Sequence, residues 1–247
     1  MEDRARDGAA DRIGVSGSAR DGAADRIGDG ASGRVAAETA ARELETAPAL
    51  DVVGWAIERF GSDVVLACSF EDCVLVDLAV RVNPTIEVLF LDTGFHFPET
   101  LAFVETVRSH YDLRIRVLRP NLGPGEWPCG TERCCELRKV EPLAHALEGR
   151  RAWMTGLKRC DSPTRAGIPV VGWDEAREMM KVNPLARWSD GDISRYTADN
   201  GLPVHPLADR GYLSIGCAPT TRPVLPGEQP RAGRWSGTDK TECGLHT

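Results

Sequence analysis

Three short apolar runs, Asp63–Cys68, Thr85–Leu91 and Leu113–Leu118, are spaced by stretches of helical character. Asp63–Cys68 is apolar without alternation, the pattern of a strand covered on both faces of a parallel sheet, and Thr85–Leu91 and Leu113–Leu118 read as the second and third strands. Between them Cys73–Val80 reads as a helix. A second helix runs from Pro98, a residue suited to the first turn, to about His110. Such β-α-β-α-β alternation predicts an α/β fold built on a doubly wound, mostly parallel sheet. Ligands of these sheets bind beyond the carboxyl ends of the strands, where Ser69–Asp72 and Asp92–Gly94 fall.

The 247 residues suffice for one such domain. Residues 1–34 stand apart: the decapeptide Ala5–Gly14 recurs unchanged at Ala19–Gly28, with too little apolar content to pack. They read as a disordered low-complexity tail. Val35–Phe60 reads as helical with a break near Pro48. Downstream, Glu132–Leu147 reads as a helix and Ala152–Thr155 as a strand ending in Gly156. Ser189 can cap a further helix that stops before Gly201. A net charge of −7 argues against nucleic acid or an anionic membrane as partner. No apolar run approaches the ~20 residues of a membrane span, and no secretory h-region opens the chain, so a cytoplasmic protein is expected.

Eight cysteines are present, and a reducing cytosol disfavours a disulfide framework. Cys68 and Cys73, beside a strand, read as small buried hydrophobes. The adjacent Cys134 and Cys135 point instead to metal or redox chemistry. Ser214–Pro223 carries Cys217, the tail Glu242-Cys243-Gly-Leu-His246-Thr247 carries Cys243, and Cys129 and Cys160 are spare. From spacing alone, a zinc site and an iron–sulfur site stay equally open. Between Arg150 and Arg165 the chain carries five basic residues and one acid. In an acidic protein, the cluster of Lys158, Arg159 and Arg165 indicates anion binding. Cys243 lies too near the C-terminus to be a core residue. Lys240, His246 and the arginines would raise its thiolate fraction.

Taken together, the tandem cysteines, the Ser-Ile-Gly-Cys217 block and the Glu-Cys243-Gly-Leu-His tail resemble the adenylyl-sulfate (APS) reductases of assimilatory sulfate reduction, from about Asp63 to the C-terminus. The resemblance implies a PP-loop-like nucleotide-binding fold, with a sulfonucleotide-binding reductase domain over 35–235 and a mobile catalytic tail over 236–247. It implies a nucleotide site at Ser69, Asp92, Thr93, Gly94 and Gly156, and a phosphosulfate site at Arg165, Arg231 and Arg234. Cys243 would be the nucleophile, assisted by His246. The substrate would be APS and the reductant thioredoxin or glutaredoxin; homo-oligomerisation is left open. A [4Fe–4S] cluster would be held by Cys134, Cys135 and Cys217, with Thr220 where the family has its fourth cysteine. The expectation is a three-thiolate cluster whose fourth iron is labile, held by water or the Thr220 hydroxyl. The alternatives are recruitment of a spare thiol, Cys129 or Cys160, and a cluster that does not form stably. Reductases for the 3′-phosphorylated nucleotide PAPS share the chemistry but usually lack the cluster cysteines. A PP-loop adenylyltransferase is disfavoured because Ser69-Phe-Glu-Asp72 lacks the glycines of the ATP-cleaving loop. A non-catalytic nucleotide- or metal-binding protein of this fold is disfavoured by the presence of Cys243 and His246.

Overall fold

A computed structural model describes residues 30–122, 126–236, 240 and 242–246. The duplicated decapeptide lies outside the described residues. The helices are α1 (Gly30–Leu44), α2 (Ala49–Phe60), α3 (Val74–Val82), α4 (Pro98–Tyr111), α5 (Glu132–Cys135), α6 (Glu141–Leu147) and α7 (Asp190–Asp199). The strands are β1 (Val64–Ala67), β2 (Glu87–Leu91), β3 (Arg114–Leu118), β4 (Ala152–Thr155), β5 (Val171–Asp174) and β6 (Met179–Val182). They form one sheet in the order β3-β2-β1-β4-β6-β5. Every neighbour pair is parallel except β5 with β6.

The strand sequences dictate the layering. Side chains alternate across a pleated strand, so a strand that is apolar at every position must be covered twice. In β1, Val64 and Leu66 join the core formed with α2 and α3, while Val65 joins a second core with Leu143, Ala146 and Leu147 of α6. The neighbouring strands repeat this: Val88 and Phe90 face the first core and Leu89 the second; Ala152 and Met154 face the first and Trp153 the second. This is the doubly wound arrangement the alternation predicts. Chain order reverses direction between β1 and β4, which makes the carboxyl ends of those two strands the switch point.

Three local differences from the sequence reading have physical causes. Helix α1 begins at Gly30, ahead of the boundary at residue 34. Gly33 lies against Trp173, where an added Cβ would come within 2.3 Å of the indole, so residues 30–34 belong to the folded unit. The hairpin β5–β6 was not read from sequence; Gly172 and Asp174 in β5 and Lys181 in β6 interrupt the apolar runs that signal a buried strand. The helix read over Glu132–Leu147 contains one π-helical turn, Glu136–Val140. Pro142, two residues past the turn, cannot donate the bond a continuous α-helix needs there. Among the described residues no helix is long and apolar enough to cross a membrane.

Candidate functional site

At the carboxyl ends of β1, β2 and β4 lies a cavity of about 210 Å³. Ser69 and Glu71 line it from the turn after β1, Thr93 from that after β2, and Gly156 and Lys158 from that after β4. Arg165, Arg231 and Arg234 line one wall, and Cys243 and His246 of the C-terminal segment close it. Ser69, Thr93, Gly156, the three arginines, Cys217, Cys243 and His246 are thus brought together. Asp92 and Gly94 are not. The Asp92 carboxylate accepts from Arg119 (3.0 Å) and from its own loop amide at Gly94 (3.1 Å), and Gly94 (φ 74°) serves the turn. Thr93 instead ties this loop to a cysteine: its Oγ1 lies 3.5 Å from Cys217 Sγ.

The basic wall is more selective than the sequence suggested. Arg159 turns away to grip Glu45 (2.6 and 2.9 Å), and Lys158 is paired with Asp161 (2.8 Å). Arg165 remains. Its Nε and Nη2 meet Glu242 at 3.0 and 2.7 Å, and Arg231 Nη2 meets the same carboxylate at 3.4 Å. Ser162 and Thr164 add hydroxyl donors at 3.1 and 3.2 Å. Burial alone would raise the Glu242 carboxyl, but Arg165 and Arg231 hold it below the usual carboxylate range. The arginines and hydroxyls therefore form a built anion receptor, and the tail supplies its occupant. Arg234 lies over Gly216, where a Cβ would collide with its guanidinium at 2.3 Å. It donates to Ser214 Oγ (3.2 Å) and Ile215 O (3.1 Å), holding the segment that presents Cys217.

Beyond Glu242, the tail is docked by stacking, packing and backbone hydrogen bonds. The His246 ring stacks on Trp153 at 5.6 Å and 8°, Leu245 packs against the second core, and the carbonyls of Leu245 and His246 accept from Arg177 (3.5 Å) and Lys181 (3.4 Å). Burial and the nearby Lys181, Arg165, Arg177 and Arg231 push the His246 imidazolium well below its ordinary range, so the ring is neutral. Its Nδ1 is buried without a hydrogen-bond partner among the described residues. Lys240 donates to Cys135 Sγ (3.3 Å) and Thr131 O (3.2 Å).

Beside the main cavity is a smaller one of about 10 Å³, lined by Cys129, Cys134, Cys135, Cys217 and Thr220. Cys134 and Cys135 come from α5, which Thr131 caps by accepting from Cys134 N (3.2 Å). A hydrogen bond from Cys129 depresses Cys217 to about 4 against the cost of burial, with help from Lys139, Thr93 and His96; Cys129 is correspondingly raised. Lys139 lines both cavities. Burial would lower its ammonium, but the Cys217, Cys243 and Cys135 thiols outweigh that and raise it. It lies four residues after Cys135, the spacing that puts two side chains on one helical face. That signal was present in the sequence and was missed. Among the described residues, no three of the four sulfurs lie within 4.8 Å of one another. A tetrahedron of thiolates about one zinc has edges of about 3.8 Å, from Zn–S bonds of about 2.3 Å. Four soft donors around one small cavity are chemically suited to a metal or iron–sulfur centre. Cys160 is elsewhere, exposed, with its thiol on Trp188 O (3.3 Å).

A parallel sheet whose switch-point cavity joins an anion receptor to a ring of thiols defines a nucleotide-binding α/β protein with a sulfur-ligand centre. The comparisons give the family. Residues 63–223 match the phosphoadenosine phosphosulfate reductase domain, and the chain belongs to that family. It is 48% identical to the adenosine 5'-phosphosulfate reductase of Streptomyces coelicolor, over 85% of this chain and 93% of that protein. It is 45% identical to the enzyme of the same name from Mycolicibacterium smegmatis, over 86% and 94%. In structure it matches the PAPS reductase of Candida auris with a TM-score of 0.67 at 25% identity, covering 75% of this chain and 96% of that one. The FMN adenylyltransferase of Candida glabrata shares the fold, with a TM-score of 0.55 at 13% identity over 78% and 75% of the two chains.

Proposed function

We propose that the protein reduces adenosine 5'-phosphosulfate to sulfite and AMP, using electrons from a thioredoxin- or glutaredoxin-type dithiol. The observation that carries this is the presence of Cys243 in the wall of the same cavity as Arg165, Arg231 and Arg234. The cavity is apolar at Ala67, Leu75 and Leu89, where a nucleoside would be enclosed, and cationic where a phosphosulfate would lie. Curated relatives named for this activity, at 44–48% identity, support it.

Each group then has a task. Arg165 and Arg231 bind the phosphosulfate oxygens after releasing Glu242, since a guanidinium fork serves carboxylate and sulfate alike. Ser69 and Gly156 contact the nucleotide at the strand ends. The Cys243 thiolate attacks the sulfuryl sulfur. An S–S bond forms, the bond from sulfur to the bridging oxygen breaks, and AMP leaves with the electron pair. A reductant thiolate then attacks Cys243 Sγ and expels sulfite. Its second thiol resolves the mixed disulfide, so the dithiol supplies both electrons. His246, neutral and stacked on Trp153, positions the tail. Cys134, Cys135 and Cys217 would hold a [4Fe–4S] cluster, which when bound supplies fixed charge beside the phosphosulfate. Lys139 links the two compartments and bears positive charge toward both.

Mixing the protein with APS in the absence of reductant tests this. Mass spectrometry should find one sulfonate adduct, on Cys243. Cys243→Ser should form no sulfite yet bind AMP as the parent does. An adduct on Cys129 or Cys160 instead would overturn the assignment.

A further inference from the structure

We infer that Cys129 is the fourth sulfur ligand of the cluster, standing in for the cysteine that Thr220 replaces. The inference rests on the iron–sulfur reading above and concerns which residues of this chain complete the donor set.

A [4Fe–4S] cluster takes about four thiolates, and a hydroxyl is a poor substitute for a soft ligand. Thr220 leaves its position without a thiol, and the chain supplies one at the same place by another route. Cys129 Sγ lies 3.8 Å from Thr220 Oγ1, and both residues line the cavity ringed by Cys134, Cys135 and Cys217. The backbone is shaped for this approach. Gly130 has φ 99°, a conformation costly for any other residue. A Cβ there would meet Thr220 Cγ2 at 3.0 Å, so the turn carrying Cys129 is pressed against the threonine. The turn is also rigidly joined to the tandem pair. Thr131 Oγ1 donates to Pro128 O (3.2 Å) and accepts from Cys134 N (3.2 Å), and Thr131 O accepts from Cys135 N (3.3 Å). Three ligands would thus come from one short segment, 129–135, and the fourth from Cys217. The other spare thiol, Cys160, is outside this cavity and bonded to Trp188 O. Thr220 is then a small neighbour that makes room for the sulfur. It replaces the expectation of a three-thiolate cluster with a labile iron.

The experiment is anaerobic purification of the full chain with parallel iron, acid-labile sulfide and EPR measurements. The parent should carry about four irons and four sulfides and be EPR-silent as isolated. Cys129→Ser should fall to about three irons and show a [3Fe–4S] signal, or lose the cluster entirely. Cys160→Ser should match the parent. The deciding variant is Cys129→Ser combined with Thr220→Cys, which restores a thiol at the family position: recovery of the parent's iron and sulfide confirms that Cys129 was a ligand. If Cys129→Ser keeps the parent's iron count and EPR silence, the inference is wrong while the cluster reading stands. The same holds if the double variant fails to recover what Cys129→Ser loses. A parent that carries zinc, or no iron, would overturn both.

Discussion

Glu242 and Arg165 meet in a two-bond fork, at 3.0 and 2.7 Å, with Arg231 and two hydroxyls on the same carboxylate. A carboxylate in this position offers the guanidinium forks two anionic oxygens, as a phosphate or sulfate group would. It belongs to the residue just before Cys243, so under the proposed function substrate entry would release the tail from the receptor. The Glu242 side chain is 18% exposed and Arg165 12%, so the pair is shielded from screening.

Replacing the carboxylate by an amide keeps the shape and removes the competing charge. Glu242→Gln should therefore bind AMP and APS more tightly, by roughly three- to tenfold, if half or more of a charged hydrogen bond worth about 1.5–3 kcal/mol is released. Isothermal titration with AMP reads this directly. Equal or weaker binding would show that Glu242 does not compete for the receptor.

The stacking of His246 on Trp153 separates two roles for the histidine. If it handled a proton, any residue without a titratable nitrogen would fail equally. The structure gives it a neutral ring and a buried, unpartnered Nδ1, so the ring face is what the contact uses. His246→Phe should retain most of the parent's kcat/KM and the same pH profile, whereas His246→Ala should lose at least tenfold, equivalent to about 1.4 kcal/mol of tail positioning. Matching losses in both variants would favour the proton.

How much of this was legible in the sequence follows from how local each signal is. β1, β2 and β4 were readable because consecutive apolar residues leave only a doubly covered strand. The tail motif was readable because Glu242, Cys243 and His246 fall within one five-residue stretch. The receptor was half legible: Arg165 was found, but Arg159 was counted with it. Nothing within the segment reveals that Arg159 faces Glu45 more than a hundred residues away. Trp153 gave no sign of its role, since the same residue is demanded by the second core. Cys129 appeared as a spare cysteine because its partner Thr220 is about ninety residues distant.

The N-terminal boundary has a simple consequence. Removing residues 1–29 takes away only residues outside the described fold, and activity and melting temperature should not change. Extending the deletion through Arg34 removes the first turn of α1, the packing of Gly33 on Trp173 and the Arg34–Glu175 pair. Differential scanning calorimetry should then show a drop of several degrees, since a loss of about 1 kcal/mol lowers Tm by roughly 2–4 °C in a domain of this size. Identical curves for the two truncations would move the boundary back to residue 34.

Acid should destabilise the fold through His205. This residue is 2% exposed; Leu207 N donates to its Nδ1 (3.1 Å), and Nε2 lies 3.0 Å from Thr100 Oγ1. An Nδ1 that accepts from an amide must be unprotonated, so the hydrogen bonds fix the neutral ring. Burial lowers its pKa to about 4, and Glu99 only partly opposes this. Above pH ~6.5 both folded and unfolded states hold a neutral ring, and the group makes no pH-dependent demand. As pH falls from there toward 4, the unfolded chain takes up a proton that the folded one refuses, and stability declines. Between pH 7.5 and 5 the loss from this residue should be about 2 kcal/mol. Urea midpoints at the two pH values measure it. His205→Asn keeps an acceptor for Leu207 N but does not titrate. It should start less stable at pH 7.5 and lose correspondingly less on going to pH 5. An unchanged difference between the two pH values would assign the acid sensitivity to another group.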